Sequence, residues 1–170
     1  MKNNELRIKK ITFLALCASL ALLLSYVEAL LPPIFVSVPG IKMGLPNIVI
    51  IFILYHFGVM NAATVSLVRL IIVSLLFGNP MMFVYSLAGA VLSISVMAIL
   101  KKLDILSTVG VSVAGAIMHN LGQVIVAMLL MQTSEIGYYM IVLAITGTVS
   151  GIFIGLCGAL LLKRFSKIRV

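Results

Sequence analysis

Pro46–Phe77 reads PNIVIIFILYHFGVMNAATVSLVRLIIVSLLF, and the fold turns on whether this is one long apolar helix or two shorter ones. Charge placement decides. Basic residues cluster near the N-terminus (Lys2, Arg7, Lys9, Lys10), at Lys101-Lys102 and near the C-terminus (Lys163, Arg164, Lys167, Arg169). If the stretch crossed a membrane once, the second and third clusters would both lie on the side opposite the first. With two helices turning at Gly58 to Asn61, every cluster falls on one side, the cytoplasmic one under the positive-inside rule. The outer loops then carry only Lys42 and Glu135.

Working outward, the apolar runs predict six helices: Ile11 to Leu31, Pro46 to Phe57, Ala62 to Phe77, Met81 to Leu100, Ser107 to Met131 and Ile136 to Leu162. The expected fold is an all-α integral membrane protein, one six-transmembrane-helix bundle over residues 1–170, multi-pass in the cell membrane with both termini cytoplasmic. Composition supports the lipid setting. The chain is 63% hydrophobic and 9% charged, with a mean hydropathy of +1.30. A spanning helix needs roughly 20 mostly apolar residues, so 170 residues accommodate a bundle and leave none for a soluble domain. The run from Ile11 to Leu31 is too long for a signal-peptide core and ends in Pro32-Pro33 without a small-residue cleavage site. The net charge of +8 sits on helix flanks rather than on one basic face, which argues against nucleic acid.

Pro32 to Asn47 forms a long first outer loop, rich in Pro and Gly yet not strongly polar. Pro46 suits the opening of the second helix, because its missing N–H has no intrahelical partner in any case. Such a loop either folds back to cap a cavity or simply connects two helices at the interface. Gly147, Gly151, Gly155 and Ala159 recur every four residues in the last helix. In lipid, helices associate through close backbone approach, so this stripe marks a packing face. Cys17 and Cys157 stand alone in apolar helices and read as small core residues.

Arg69, in the middle of Val65 to Val73, is the residue most in need of explanation. A guanidinium at membrane depth costs roughly 2.5–3.5 kcal/mol on insertion scales and persists where it faces a bundle interior or a wet cavity. His119, Asn120 and Gln123 reach similar depth on the fifth helix, and His119 and Gln123, four apart, share a face. Glu28 lies in the outer third of the first helix, and Asn47 opens the second. All converge on one cavity in the outer half of the bundle, unless Arg69 merely pairs with Glu28. Arg and His offer donors, which suits an anionic or carbonyl-bearing ligand. Catalytic chemistry is not expected: Glu5, Glu28, Asp104 and Glu135 are scattered, and no nucleophile elbow, phosphate-binding lysine loop or metal-ligand spacing is present. No metal or other cofactor is implied.

Several of these segments together resemble one family. Pro39-Gly40-Ile41-Lys42-Met43-Gly44-Leu45-Pro46-Asn47, Arg69, Gly78-Asn79-Pro80, Gly110-Val111-Ser112 and His119-Asn120-Leu121-Gly122-Gln123 resemble the Gx transporter family, also called heptaprenyl diphosphate synthase component I. That family is similar in size and layout to the substrate-binding S components of energy-coupling-factor transporters. The resemblance implies an outward-facing pocket capped by the first outer loop. It also implies docking, through small residues on the first helix, to a shared transmembrane coupling subunit and two ATPase subunits. The S components use Ala-x-x-x-Ala there; this chain has Ala15 and Ser19. The substrate-binding set is then Arg69, His119, Asn120, Gln123, Glu28, Asn47 and Lys42. The enzymatic family name fits the residues poorly, since prenyl diphosphate synthases hold magnesium diphosphate through Asp-rich motifs and Asp104 is the sole Asp. A non-catalytic role in heptaprenyl diphosphate or menaquinone synthesis, or in quinone- or flavin-linked electron transfer, is the alternative.

Overall fold

The computed structural model describes residues 2–30, 44–77 and 80–165, with side chains from residue 4 onward. These residues form six α-helices: α1 Lys2–Leu30, α2 Asn47–Phe57, α3 Val59–Phe77, α4 Pro80–Leu103, α5 Thr108–Met131 and α6 Tyr139–Phe165, with a 3-10 turn at Glu135–Tyr138 before α6. No strand occurs among the described residues. All but α2 are long and apolar enough to cross a membrane, so this is a multi-pass membrane protein. At 11 residues, α2 rises only about 16 Å, about half of the roughly 30 Å hydrocarbon core.

What α2 lacks in length it makes up in burial. Val49 through Leu54 are all buried, as a helix apolar on every side requires. α2 is therefore the central post of the bundle. On α1, Cys17, Ala21 and Ser25 face inward at intervals of four, while Leu16, Leu20 and Leu23 on the other face are exposed. The break between α2 and α3 is one residue, Gly58, rather than the expected Gly58 to Asn61. Gly58 takes φ +89, which an L side chain rarely adopts. Its N–H closes back on the Ile53 carbonyl, a six-residue return typical of helix ends. Its carbonyl accepts from Ala62 to start α3. Asn47 and Arg69 lie eleven positions either side of Gly58 and line the same hollow, so the two helices run back alongside each other.

One end of the bundle is sealed by aromatic rings. Phe13 of α1 meets Phe57 of α2 at 5.3 Å between centroids, and Phe52 meets Phe165 of α6 at 5.8 Å. The start of α1 and the ends of α2 and α6 thus gather at this end. The end of α4 joins them through Lys101, whose Nζ donates to the Leu54 carbonyl at 2.7 Å and stands 5.2 Å above the Tyr55 ring. The last turn of a helix leaves carbonyls without intrahelical partners, and a cation there also meets the negative end of the helix dipole. Lys101→Met is expected to destabilise the fold by about 2 kcal/mol, read as a lower melting temperature in detergent. Lys102→Met, at an exposed position, should leave the melt unchanged.

The other half of the molecule is a three-helix stack, α4 on α5 on α6, held by backbone approach. A Cβ on Gly122 would lie 2.7 Å from the Ala88 carbonyl oxygen, and one on Gly89 would lie 2.7 Å from that of His119. On the far side of α5, Gly151 and Gly155 of α6 sit so close that a Cβ would come 2.7 Å from the Cα atoms of Val113 and Val109. The expected small-residue stripe thus packs on α5 through its glycines, and Gly158, next to Ala159, faces Ile51 of α2. Ser107 caps α5 by accepting from Gly110 N–H at 3.3 Å.

Candidate functional site

The half of the bundle away from the aromatic seal contains a cavity of about 150 Å³. Its walls come from the last turns of α1, the start of α2, the second half of α3, the start of α4 and the facing stretches of α5 and α6. Glu28, Asn47, Arg69, His119, Asn120 and Gln123 all line it. Lys42 and the bulk of the first outer loop lie outside the described residues, as does the Gly78-Asn79 turn.

Arg69 reaches the cavity from α3. Its Nη1 lies 3.4 Å from Ser25 Oγ on α1, beyond the usual 2.7–3.2 Å range for N–H···O. Its Nε is buried with no hydrogen-bond partner among the described residues. Leaving a buried donor unsatisfied costs about 1–3 kcal/mol, more for a charged one. No ion pair to Arg69 forms among the described residues. Glu28 is engaged elsewhere: its Oε1 accepts from the backbone N–H of Gly44, a residue at φ +75 just ahead of α2. The structural alternative for Arg69, direct pairing with Glu28, is therefore not what the geometry shows. Cation and carboxylate share the cavity without touching.

The α5 groups are wired inward. Asn120 Nδ2 donates to the Leu143 carbonyl of α6 at 2.7 Å, in the space left by Gly147. His119 and Gln123 are joined, Nε2 to Nε2, at 3.2 Å. The other edge of the imidazole, at Nδ1, packs against Gly89 of α4. The Gln123 amide nitrogen can only donate, so Nε2 accepts from it and the ring proton sits on Nδ1. Each amide spends one N–H within the protein and keeps its second N–H beside its acceptor, Asn120 Oδ1 or Gln123 Oε1. The charged donor for a ligand comes from Arg69.

Ser25, Gly44, Ser86, Thr146 and Ser150 also line the cavity and were not among the expected residues. Ser25 had a signal, since it lies three positions before Glu28 and shares its helix face. Gly44 contributes a backbone N–H, which no side-chain pattern reveals. Ala15 and Ser19 lie elsewhere, on the exposed side of α1, and Ser19 Oγ is turned back onto the Ala15 carbonyl at 3.0 Å. That leaves a low, non-polar strip between exposed leucines.

No curated protein and no solved structure matches the chain. A family model does: the one described as heptaprenyl diphosphate synthase component I matches residues 17–161, most of the chain and all of the cavity, and the protein belongs to that family.

Proposed function

We propose that this chain is the substrate-binding membrane subunit of an energy-coupling-factor-type uptake transporter, for a small molecule bearing an anionic or carbonyl group. The observation that carries this reading is an Arg69 guanidinium on the wall of a cavity, with one long bond to Ser25 and no ion pair among the described residues. A charge left short of partners at membrane depth is a loss for the empty protein and a gain once an anion or carbonyl oxygen arrives. Ligand pockets for drug-sized molecules run to about 300–1,000 Å³, so 150 Å³ suits a small molecule or the head group of a larger one. The positive-inside rule puts the basic, aromatic-sealed end in the cytoplasm and the cavity toward the outside of the cell membrane.

In this reading the chain is not an enzyme. It takes up substrate and docks, through the Ala15–Ser19 strip, to a transmembrane coupling subunit served by two ATPases. Co-purification tests this. Ala15→Trp with Ser19→Trp is expected to strip the coupling subunit and ATPases from the complex while leaving the melting temperature unchanged, because both positions are exposed. Full retention of those partners by the double variant sinks the docking assignment.

The second reading is a non-catalytic membrane component of heptaprenyl diphosphate or menaquinone synthesis, or of quinone- or flavin-linked electron transfer; the family description, heptaprenyl diphosphate synthase component I, is compatible with its prenyl part. Loss of long-chain quinone on deletion, together with co-purification of a prenyl synthase, would select it over transport.

A further inference from the structure

The cavity carries one cation and one carboxylate, held apart, and this arrangement narrows the ligand beyond an anionic or carbonyl-bearing molecule. Among the described lining residues, Arg69 is the one Lys or Arg and Glu28 the one Asp or Glu. Opposite charges in a low-dielectric pocket attract strongly and collapse onto each other unless something else holds them. Here Glu28 is held by Gly44 N–H. A carboxylate has about four acceptor sites, so most of its capacity remains. Arg69 makes one long contact, Nη1 to Ser25 Oγ, and no ion pair among the described residues. Asn120 spends one amide N–H on Leu143 and Gln123 one on His119, so each keeps its carbonyl oxygen and one N–H. The cavity therefore offers a positive donor wall at Arg69, a carboxylate acceptor at Glu28 and two neutral amides that both donate and accept.

We infer that the ligand is a small zwitterion, with a carboxylate seated on Arg69 and an ammonium or N–H group facing Glu28. A net anion would satisfy Arg69 but bring its charge near the Glu28 carboxylate; a net cation would do the reverse. A molecule with both charges leaves the cavity balanced and fills both sides of its hydrogen-bonding pattern. Size agrees: a void of about 150 Å³ holds a benzene-sized group, which fits a short amino acid. This inference rests on the ligand-pocket reading and specifies its chemistry.

The test uses the full chain in lipid nanodiscs, titrated calorimetrically with two matched sets: glycine, acetate and methylamine; 4-aminobutyrate, butyrate and butylamine. In at least one set the amino acid should bind about tenfold or more tighter than either singly charged analogue. Glu28→Gln keeps an oxygen to accept from Gly44 and should erase the preference for amino acid over carboxylate. Arg69→Gln should abolish binding of both, and melting curves establish that each variant is folded. If the carboxylate binds as tightly as the amino acid and Glu28→Gln changes nothing, while Arg69→Gln still abolishes binding, the zwitterion assignment falls and the anion pocket stands. If Arg69→Gln leaves binding of every probe unchanged, both fall. Binding of neither amino acid at millimolar concentration also overturns the inference.

Discussion

Arg69→Met is expected to leave the ligand-free protein at least as stable as the parent while destroying its binding capacity. The two effects share one cause. Among the described residues the guanidinium has a buried Nε without a partner and one long contact to Ser25, so its replacement by an apolar chain of similar length removes a desolvation penalty rather than a strong bond. Such trade-offs between stability and function are common where a site is held unsatisfied for a ligand. Removing one member of a buried, hydrogen-bonded charge pair costs about 2–5 kcal/mol in binding, or roughly 30-fold to several thousand-fold in affinity. Arg69→Lys should lie between, because it keeps the charge and loses the planar fork. If Arg69 were instead a structural strut, Arg69→Met would lower the melting temperature, by about 2–4 °C for each kcal/mol lost.

Gly151→Val should cause a large loss of stability. Its Cβ would sit 2.7 Å from Val113 Cα and 3.2 Å from Ala116 Cβ. The nearest obstacle is backbone, which no rotamer change can move, so α5 and α6 must part. Overpacking of this kind costs about 1–3 kcal/mol, a fall of about 2–12 °C in melting temperature for a chain of this length. The Asn120–Leu143 bond that crosses the same interface would be weakened too, so binding should suffer alongside. Gly137→Ala is the control: its nearest neighbour is Met128 Sδ at 3.5 Å, ordinary contact, and its melt should match the parent.

The helices were legible because apolar runs of this length have few other uses. Their ends were less so. α1 starts at Lys2 rather than Ile11, since charged residues beyond the lipid continue a helix as readily as apolar ones within it. α3 begins at Val59 rather than Ala62. Asn61, read as part of the turn, is helical and donates from Nδ2 to the Phe57 carbonyl at 2.6 Å, bridging the break it was expected to help make. Pro46 stands at the cap of α2, one residue ahead of the first helical position, with the φ of −59 that its ring imposes.

The cavity was legible in outline for a similar reason. Polar side chains in a membrane bundle are few, and they gather where they cost least. Which of them keep free hydrogen-bonding capacity was not legible. His119 looked like a donor to a ligand, yet its ring lies between Gly89 and Gln123. Glu28 looked like a partner for Arg69, yet a backbone N–H sixteen residues on holds it. Both outcomes depend on neighbours brought in by other helices, which spacing along one helix does not encode.

The decisive measurement is mass spectrometry of small molecules retained from a metabolite extract passed over immobilised protein, parent beside Arg69→Met. The account predicts that the parent enriches a small molecule carrying a carboxylate or another anionic or carbonyl group, and that the variant loses it. Retention of the same molecules by both proteins, or enrichment of nothing by the parent, contradicts it.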